Sequence, residues 1–312
     1  MLDSYISSMI YFSPVKEGHF MELRVLQYFL AVTREQSISG AAESLHLSQP
    51  TLSRQLKELE DELGKQLFVR GNRSITLTEE GMILRKRAEE ILELVKKAEY
   101  EVSLSDETVA GDVTIGAGET DGVRLLANAA QMVQKEYPLV HFHIVSGDRV
   151  TVTEEMDRGL IDFGLLFGRI DTSKYEYVQV PYKDRFGVLM RRDSPLAEKK
   201  TISPEDLRAQ PLILSRQALQ DASLQAIFGN NGEKLNIVAT YNLLFNGSLM
   251  VNEGMGYAVC LDKIINVSGE SNLCFRPFEP EVEAPLSLVW KKYQALTKAA
   301  EKFLIKCQEW TA

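Results

Sequence analysis

Between Ser48 and Lys57 the chain offers Gln49, Thr51, Ser53, Arg54 and Lys57 on a stretch where Leu52, Leu56, Leu59 and Leu63 recur at intervals of four, three and four. That spacing buries one face of a helix. At about 100° per residue it turns Pro50, Arg54, Lys57, Glu58 and Asp61 to the opposite side, with Thr51 and Ser53 on the flanks. Amide, hydroxyl and guanidinium groups in such an array hydrogen-bond base edges, while Lys and Arg neutralise phosphates. Ser48 is a good N-cap for this helix. Its later turns hold Glu58, Glu60, Asp61 and Glu62, which phosphates repel, so only the N-terminal end suits a DNA groove.

The elements that must position this face are short. A preceding helix from Ser39 carries Gly40, Ala41 and Ala42, whose small size admits a close neighbour, then Leu45. Leu23, Leu26, Leu30 and the pair Tyr28-Phe29 predict a helix before it. Gly64 is a plausible stop. Val69 to Leu77 reads as a two-stranded wing with Gly71-Asn72 as its turn, and Arg70 and Arg73 flank the tip, beside DNA backbone. An ordinary helical hairpin with a solvated face would show much of the same pattern.

The longer context decides between the two. Leu26-Gln27-Tyr28-Phe29, Ala41-Ala42-Glu43-Ser44-Leu45, Leu47-Ser48-Gln49-Pro50-Thr51-Leu52-Ser53-Arg54-Gln55, Leu59-Glu60 with Leu63-Gly64, Leu67-Phe68 with Arg70, and Leu77-Thr78 with Gly81 closely resemble the winged helix-turn-helix of LysR-type transcriptional regulators. The resemblance implies that residues 21–77 bind double-stranded DNA through Ser39, Ser48, Gln49, Pro50, Thr51, Ser53, Arg54, Lys57, Arg70 and Arg73.

From Thr78, an N-cap followed by Glu79 and Glu80 where the helix dipole favours acids, one long helix is predicted to about Leu104. Leu84, Ala88, Ile91, Val95, Ala98 and Val102 form a heptad seam along it, so residues 78–106 are expected to pair with a second copy. Packing on the chain's own body is the alternative. The family resemblance implies a dimerising linker and a tetramer built from it.

Ser103 to Gly111 reads as a polar hinge, and beyond it apolar strands alternate with helical stretches, the pattern of a parallel sheet with crossover helices. The expected order is strand Val113–Gly116, helix Val123–Tyr137, strand Val140–Val145, helix Thr153–Leu160 and strand Asp162–Phe167. Then come strands at Phe186–Met190, Leu212–Leu214, Leu235–Thr240, Tyr257–Cys260 and Leu286–Trp290, and helices at Leu219–Phe228, Leu244–Glu253 and Ala295–Trp310. Tyr137-Pro138, Gly159-Leu160-Ile161-Asp162, Ser194-Pro195-Leu196, Asp206-Leu207, Pro211-Leu212-Ile213 and Gly254-Met255-Gly256-Tyr257-Ala258 resemble the effector-binding domain of the same family. Cys260-Leu261 and Glu253 depart from its usual residues. The resemblance implies an α/β, two-lobed, periplasmic-binding-protein-like (type 2) fold over residues 107–312. Lobe 1 is expected at about 112–181 and 278–312, and lobe 2 at about 182–277.

Strand ends in such a fold face a cleft. The candidate effector residues are accordingly Gly118, Thr120, Ser146, Gly168, Arg169, Ser215, Arg216 and Asn242. Thr120 and Ser146 would hydrogen-bond a carboxylate with free helix-start N–H groups, and Arg169 or Arg216 would neutralise it, unless the hydroxyls are simple N-caps. Glu119 and Asp121 pull the other way. An anionic effector is favoured over an amino acid or a neutral ligand.

Composition bounds the alternatives. The 312 residues carry a net charge of −9, yet residues 21–77 balance seven basic side chains (Arg24, Arg34, Arg54, Lys57, Lys65, Arg70, Arg73) against seven acidic ones (Glu22, Glu35, Glu43, Glu58, Glu60, Asp61, Glu62). DNA affinity must therefore come from a focused face and from several copies of it, not from bulk charge. No apolar run approaches the roughly 18 residues of a membrane span, so no membrane partner is expected. Residues 1–20 match nothing that follows and read as a translated leader, with Met21 as the expected start. Cys260, Cys274 and Cys307 are odd in number and lack metal spacing, which fits a reducing cytoplasm; a thiol redox sensor of the same fold is the alternative function. His141 and His143 share a strand face without a third ligand, so no metal is expected. His46 reads as packing or surface. Gly116-Ala117-Gly118 lacks the third glycine of a dinucleotide turn, and no nucleophile elbow, phosphate loop or zinc motif occurs. Neither a cofactor nor an enzyme activity is expected. The reading is a cytoplasmic regulator whose DNA bending and contact with RNA polymerase respond to a small effector.

Overall fold

The computed structural model describes residues 21–71, 74–103, 108–217, 227–228 and 235–311, so the proposed leader, Arg73 and most of the helix expected from Leu219 lie outside the described residues. The chain divides into two compact units near residue 102.

In the first unit, α1 (Leu23–Glu35), α2 (Ile38–Ser44) and α3 (Gln49–Leu63) close around Leu26, Phe29, Val32, Ala41, Ala42, Leu52, Leu56 and Leu59. Helix α2 starts at Ile38, not Ser39. Ser37 is its cap, its hydroxyl accepting from Gly40 N at 3.3 Å. His46 takes a left-handed φ of 55° in the turn between α2 and α3, and Leu47 N returns to Ala42 O at 2.8 Å. Ser48 caps α3 and Gly64 ends it at φ 63°. Leu63, expected inside, is 43% exposed because the helix outlasts the core beneath it.

Strands β1 (Phe68–Arg70) and β2 (Ile75–Leu77) pair antiparallel. Glu60 is not a solvated acid: its Oε1 accepts from Leu67 N at 2.7 Å and Phe68 N at 3.2 Å, anchoring the wing to α3. Ile75 N donates to Gln36 O at 3.0 Å, tying the other strand to α1. Thr78 then caps α4 (Glu79–Ser103), its hydroxyl accepting from Gly81 N at 3.0 Å. A Cβ on Gly81 would stand 2.2 Å from Leu67 O, so only glycine lets the helix pass this close to the wing.

The seam of α4 is divided. Ala88 is fully buried in the core of its own unit, with Leu84, Ile91 and Leu92 packed against it. Ala88 is therefore closed to a second chain, whereas Leu84 and Ile91 are half-buried and share their surface between this core and solvent. Ala98 and Val102 remain exposed and Val95 half-buried, with exposed Leu94 next to them and exposed Ile83 nearer the start of the helix.

The second unit contains β3 (Gly111–Ala117), α5 (Val123–Glu136), β4 (Val140–Ser146), α6 (Arg149–Asp157), β5 (Phe163–Phe167), β6 (Tyr175–Arg191), α7 (Pro204–Leu207), β7 (Leu212–Ser215), β8 (Ile237–Tyr241), α8 (Leu244–Asn252), β9 (Tyr257–Leu261), β10 (Leu273–Pro277), β11 (Glu283–Lys291) and α9 (Lys298–Gln308). Strand order is β4-β3-β5-β11-β6-β9-β7-β8, with β10 also on β6. The crossover strands are parallel, and β11 runs antiparallel to β5 and β6. One lobe packs Val113, Leu126, Phe163, Leu288, Phe303 and Cys307; the other packs Ile202, Leu212, Leu214, Val259 and Phe278 on one face and Ile213, Leu244, Val251 and Cys260 on the opposite face.

Three departures bear on the cleft. Strand β6 begins at Tyr175 rather than Phe186 and runs through both lobes. Helix α6 begins at Arg149 rather than Thr153, because Asp148 caps it by accepting from Thr151 N at 2.9 Å. Strand β10 was not expected at all.

Candidate functional site

The first turns of α3 present Gln49, Pro50, Thr51, Arg54 and Lys57 to solvent, with Ser53 half-buried and Ser39 exposed on α2. The Ser48 and Thr51 hydroxyls lie 2.7 Å apart, so each orients the other while Ser48 also caps the helix. The Arg54 side chain is 71% exposed and 3.7 Å from Glu58 Oε1, an ion pair weak enough for an incoming base or phosphate to displace. Glu58 is held as well by Gln55 Nε2 at 2.7 Å. With Glu60 turned to the wing, part of the acidity of the later turns is thus bound within the unit. Arg70 closes β1.

In the second unit a cavity of about 480 Å³ opens between the lobes at the ends of β3, β5 and β7. Of the expected residues, Gly118, Gly168, Arg169, Ser215 and Asn242 line it. Thr120, Ser146 and Arg216 do not. Thr120 is buried and donates its hydroxyl to Asp184 while accepting from Gly122 N at 2.9 Å, so it is spent inside the fold. Ser146 ends the edge strand β4, and Arg216 points to solvent beyond β7.

The cavity also takes residues that strand-end reasoning passed over. Arg149 donates to the carbonyl oxygens of Phe167 and Arg169; placing the helix start too late hid it. Gln217 and Tyr241 join the wall, the Tyr241 hydroxyl donating to Val259 O at 2.8 Å. Glu119 reaches the other lobe, its Oε2 accepting from Leu244 N at the start of α8. That donor is one of the helix-start N–H groups expected to be free for an anionic effector, and it is already taken.

All three cysteines are buried. Burial pushes the Cys260 and Cys307 thiols well up, the opposite of what a reactive sensor thiolate requires. His143 Nε2 lies 3.2 Å from Asp112 on the surface, and among the described residues no cluster of His, Cys, Asp or Glu could hold a metal ion. No helix among them is long and apolar enough to cross a membrane.

Comparison with known proteins matches both units. A family model for the "LysR substrate binding domain" covers residues 106–312, and one for the "Bacterial regulatory helix-turn-helix protein, lysR family" covers 23–82. The HTH-type transcriptional regulator BsdA of Bacillus subtilis is 31% identical over 294 residues, spanning 91% of this chain and 99% of that protein. A hydrogen peroxide-inducible genes activator of Pectobacterium carotovorum is 28% identical over 280 residues, 87% of this chain and 90% of its own. Among solved structures, full-length CbnR in complex with its target DNA superposes with a TM-score of 0.73 at 20% identity, covering 93% of this chain and all of that one; this likeness concerns the fold.

Asp184, 1% exposed on β6 and paired in register with the lining residue Ala284, is a buried acid behind the cavity wall. Burial raises its pKa from 3.8 to about 6, against the lowering effect of the Thr120 and Tyr182 hydroxyls. A carboxyl whose folded pKa is raised stabilises the fold fully below the unfolded pKa and loses that contribution as pH rises through the folded value. The shift of about two units corresponds to roughly 3 kcal/mol. Asp184→Asn should therefore be more stable than the parent at pH 7 and nearly equal at pH 4, as read by chemical denaturation across that range.

Proposed function

The chain belongs to the LysR family of bacterial regulators, and from that premise we propose how this DNA-binding transcription regulator divides its work. Gln49, Pro50, Thr51 and Arg54 read base edges in the major groove. Ser39, Ser48, Ser53, Lys57, Arg70 and Arg73 hold the sugar–phosphate backbone. A small effector enters the cavity between the lobes, and its preference for one lobe arrangement over another biases DNA bending and contact with RNA polymerase. A ligand binding both arrangements equally would do nothing. The protein acts in the cytoplasm as a dimer or higher oligomer. Family members regulate transcription rather than catalyse reactions.

The observation that carries this reading is the exposure of Gln49, Thr51, Arg54 and Lys57 on the first turns of a helix whose opposite face, Leu52, Leu56 and Leu59, is buried. Arg54→Ala should cost on the order of 1–3 kcal/mol and relax sequence preference. Lys57→Ala should weaken all sequences alike and flatten the salt dependence by about one unit. Footprinting and salt titration distinguish the two, and an unchanged footprint removes Arg54 from the reading set.

Self-association is assigned to the more exposed end of the seam, Val95, Ala98 and Val102, with Leu94 next to it. Ala98→Glu with Val102→Glu changes only exposed positions, so the protomer should fold as before. Burying unpaired charge in the interface is costly, and sedimentation should report monomers. Unaltered sedimentation would move the interface elsewhere.

A further inference from the structure

The interlobe cavity carries its own carboxylate at the point where an anion would ordinarily dock. Helix α8 has no side-chain cap from its N-cap residue, Leu243. Glu119 supplies one from the other lobe, its Oε2 accepting from Leu244 N. Asn242 Oδ1 accepts from Leu243 N at 3.0 Å, so the adjacent donor is satisfied too. A ligand carboxylate placed here would exchange one carboxylate for another and leave Glu119 displaced and unpaired beside it.

The balance of charge favours the opposite head. The start of a helix amounts to about half a positive charge against the full negative charge of Glu119, which leaves the spot net anionic. The other charged side chains on the wall keep their charge, two acids against two arginines, but most of their hydrogen-bonding groups are engaged. Asp148 caps α6 through Thr151 N at 2.9 Å, Glu283 pairs with Lys183 at 2.6 Å, and Arg149 is held by the carbonyls of Phe167 and Arg169. Arg169 is exposed, where solvent screens it. Among the described residues nothing donates to Glu119 Oε1, while Phe167, Phe186, Val259 and Ile264 make the surrounding wall apolar.

We infer that the cavity takes an apolar molecule bearing an ammonium-type cation, and that Glu119 selects it by accepting from that head with the oxygen that α8 does not use. The inference rests on the cleft being the effector site. It names Glu119 as the residue that sets the sign of the ligand's charge.

The test is a thermal-shift comparison on the full chain, using primary amines, carboxylates and carboxamides carried on the same phenyl, cyclohexyl and indolyl bodies at millimolar concentration. Amines should stabilise the parent and the matched carboxylates should not. Glu119→Gln keeps an acceptor for Leu244 N, so the ligand-free protein should melt near the parent, while amine affinity falls about 10- to 100-fold, as expected for loss of a charge-assisted hydrogen bond. Amines that leave the melting temperature unmoved, carboxylates that stabilise more than amines, or an amine shift that survives Glu119→Gln would each overturn the assignment. Gly118→Leu separates the site from the charge rule. A Cβ at Gly118 has ordinary contact distance to Phe167 at 3.6 Å, and the larger side chain takes up cavity volume, so amine shifts should be lost. A carboxylate shift lost in Gly118→Leu overturns the charge rule and leaves the cleft as the effector site; shifts of any head that persist there overturn the cleft itself.

Discussion

Strand β6 is the constraint on which the second unit depends, because it is the strand shared by the sheets of both lobes. From Tyr175 to Arg185 it pairs with β11, and from Phe186 onward it pairs with β9 and β10. Ladder hydrogen bonds on both of its edges hold the lobes to one backbone, and the cavity lies beside the crossing. Asp184 sits at that crossing, paired in register with Ala284, and Thr120 reaches it from the end of β3. A buried carboxyl at such a place is costly when ionised. Glu119, next to Thr120 in the chain, spans to the other lobe. Two adjacent residues thus face opposite tasks, one locking the crossing and the other lining the ligand space.

The first unit is governed by close approach and capping rather than by charge. Ser48 and Gly64 bound α3, Glu60 holds the wing to it, and Gly81 lets α4 lie against Leu67. The same α4 residues that look free for a partner chain in a heptad pattern, Leu84, Ala88 and Ile91, complete this small core. A small domain has little core to spare, which is why its neighbouring helix is drawn in over its first turns.

Much of this was legible from residue types alone. The leucine spacing of α3, the Ser48 cap, the Gly64 stop and the alternation of strands and helices all follow from local rules, and the structure keeps them. What escaped depends on tertiary context. Strand β6 runs through Pro181, which lies exposed opposite the irregularity between Pro285 and Ser287, where its missing N–H costs no ladder bond. Asp148 outcompeted Thr153 as a helix start, which brought Arg149 to the cleft. Thr120 and Glu119 stand side by side at a strand end, and only the fold determines which of them turns inward. A hydroxyl beside a carboxylate suggested an anion site with an acidic blemish; the packed arrangement makes the acid the exposed partner.

A regulator of this kind couples a ligand in the cleft of one unit to DNA bound by the other, and linkage makes that coupling quantitative. If a cavity ligand changes DNA affinity by some factor, DNA must change the affinity for that ligand by the same factor. The direct measurement is therefore a pair of titrations on the full chain, DNA binding with and without a cavity-binding ligand and ligand binding with and without operator DNA. The two factors should be equal and different from one, typically about 5- to 150-fold. Factors of one in both directions would contradict the coupling.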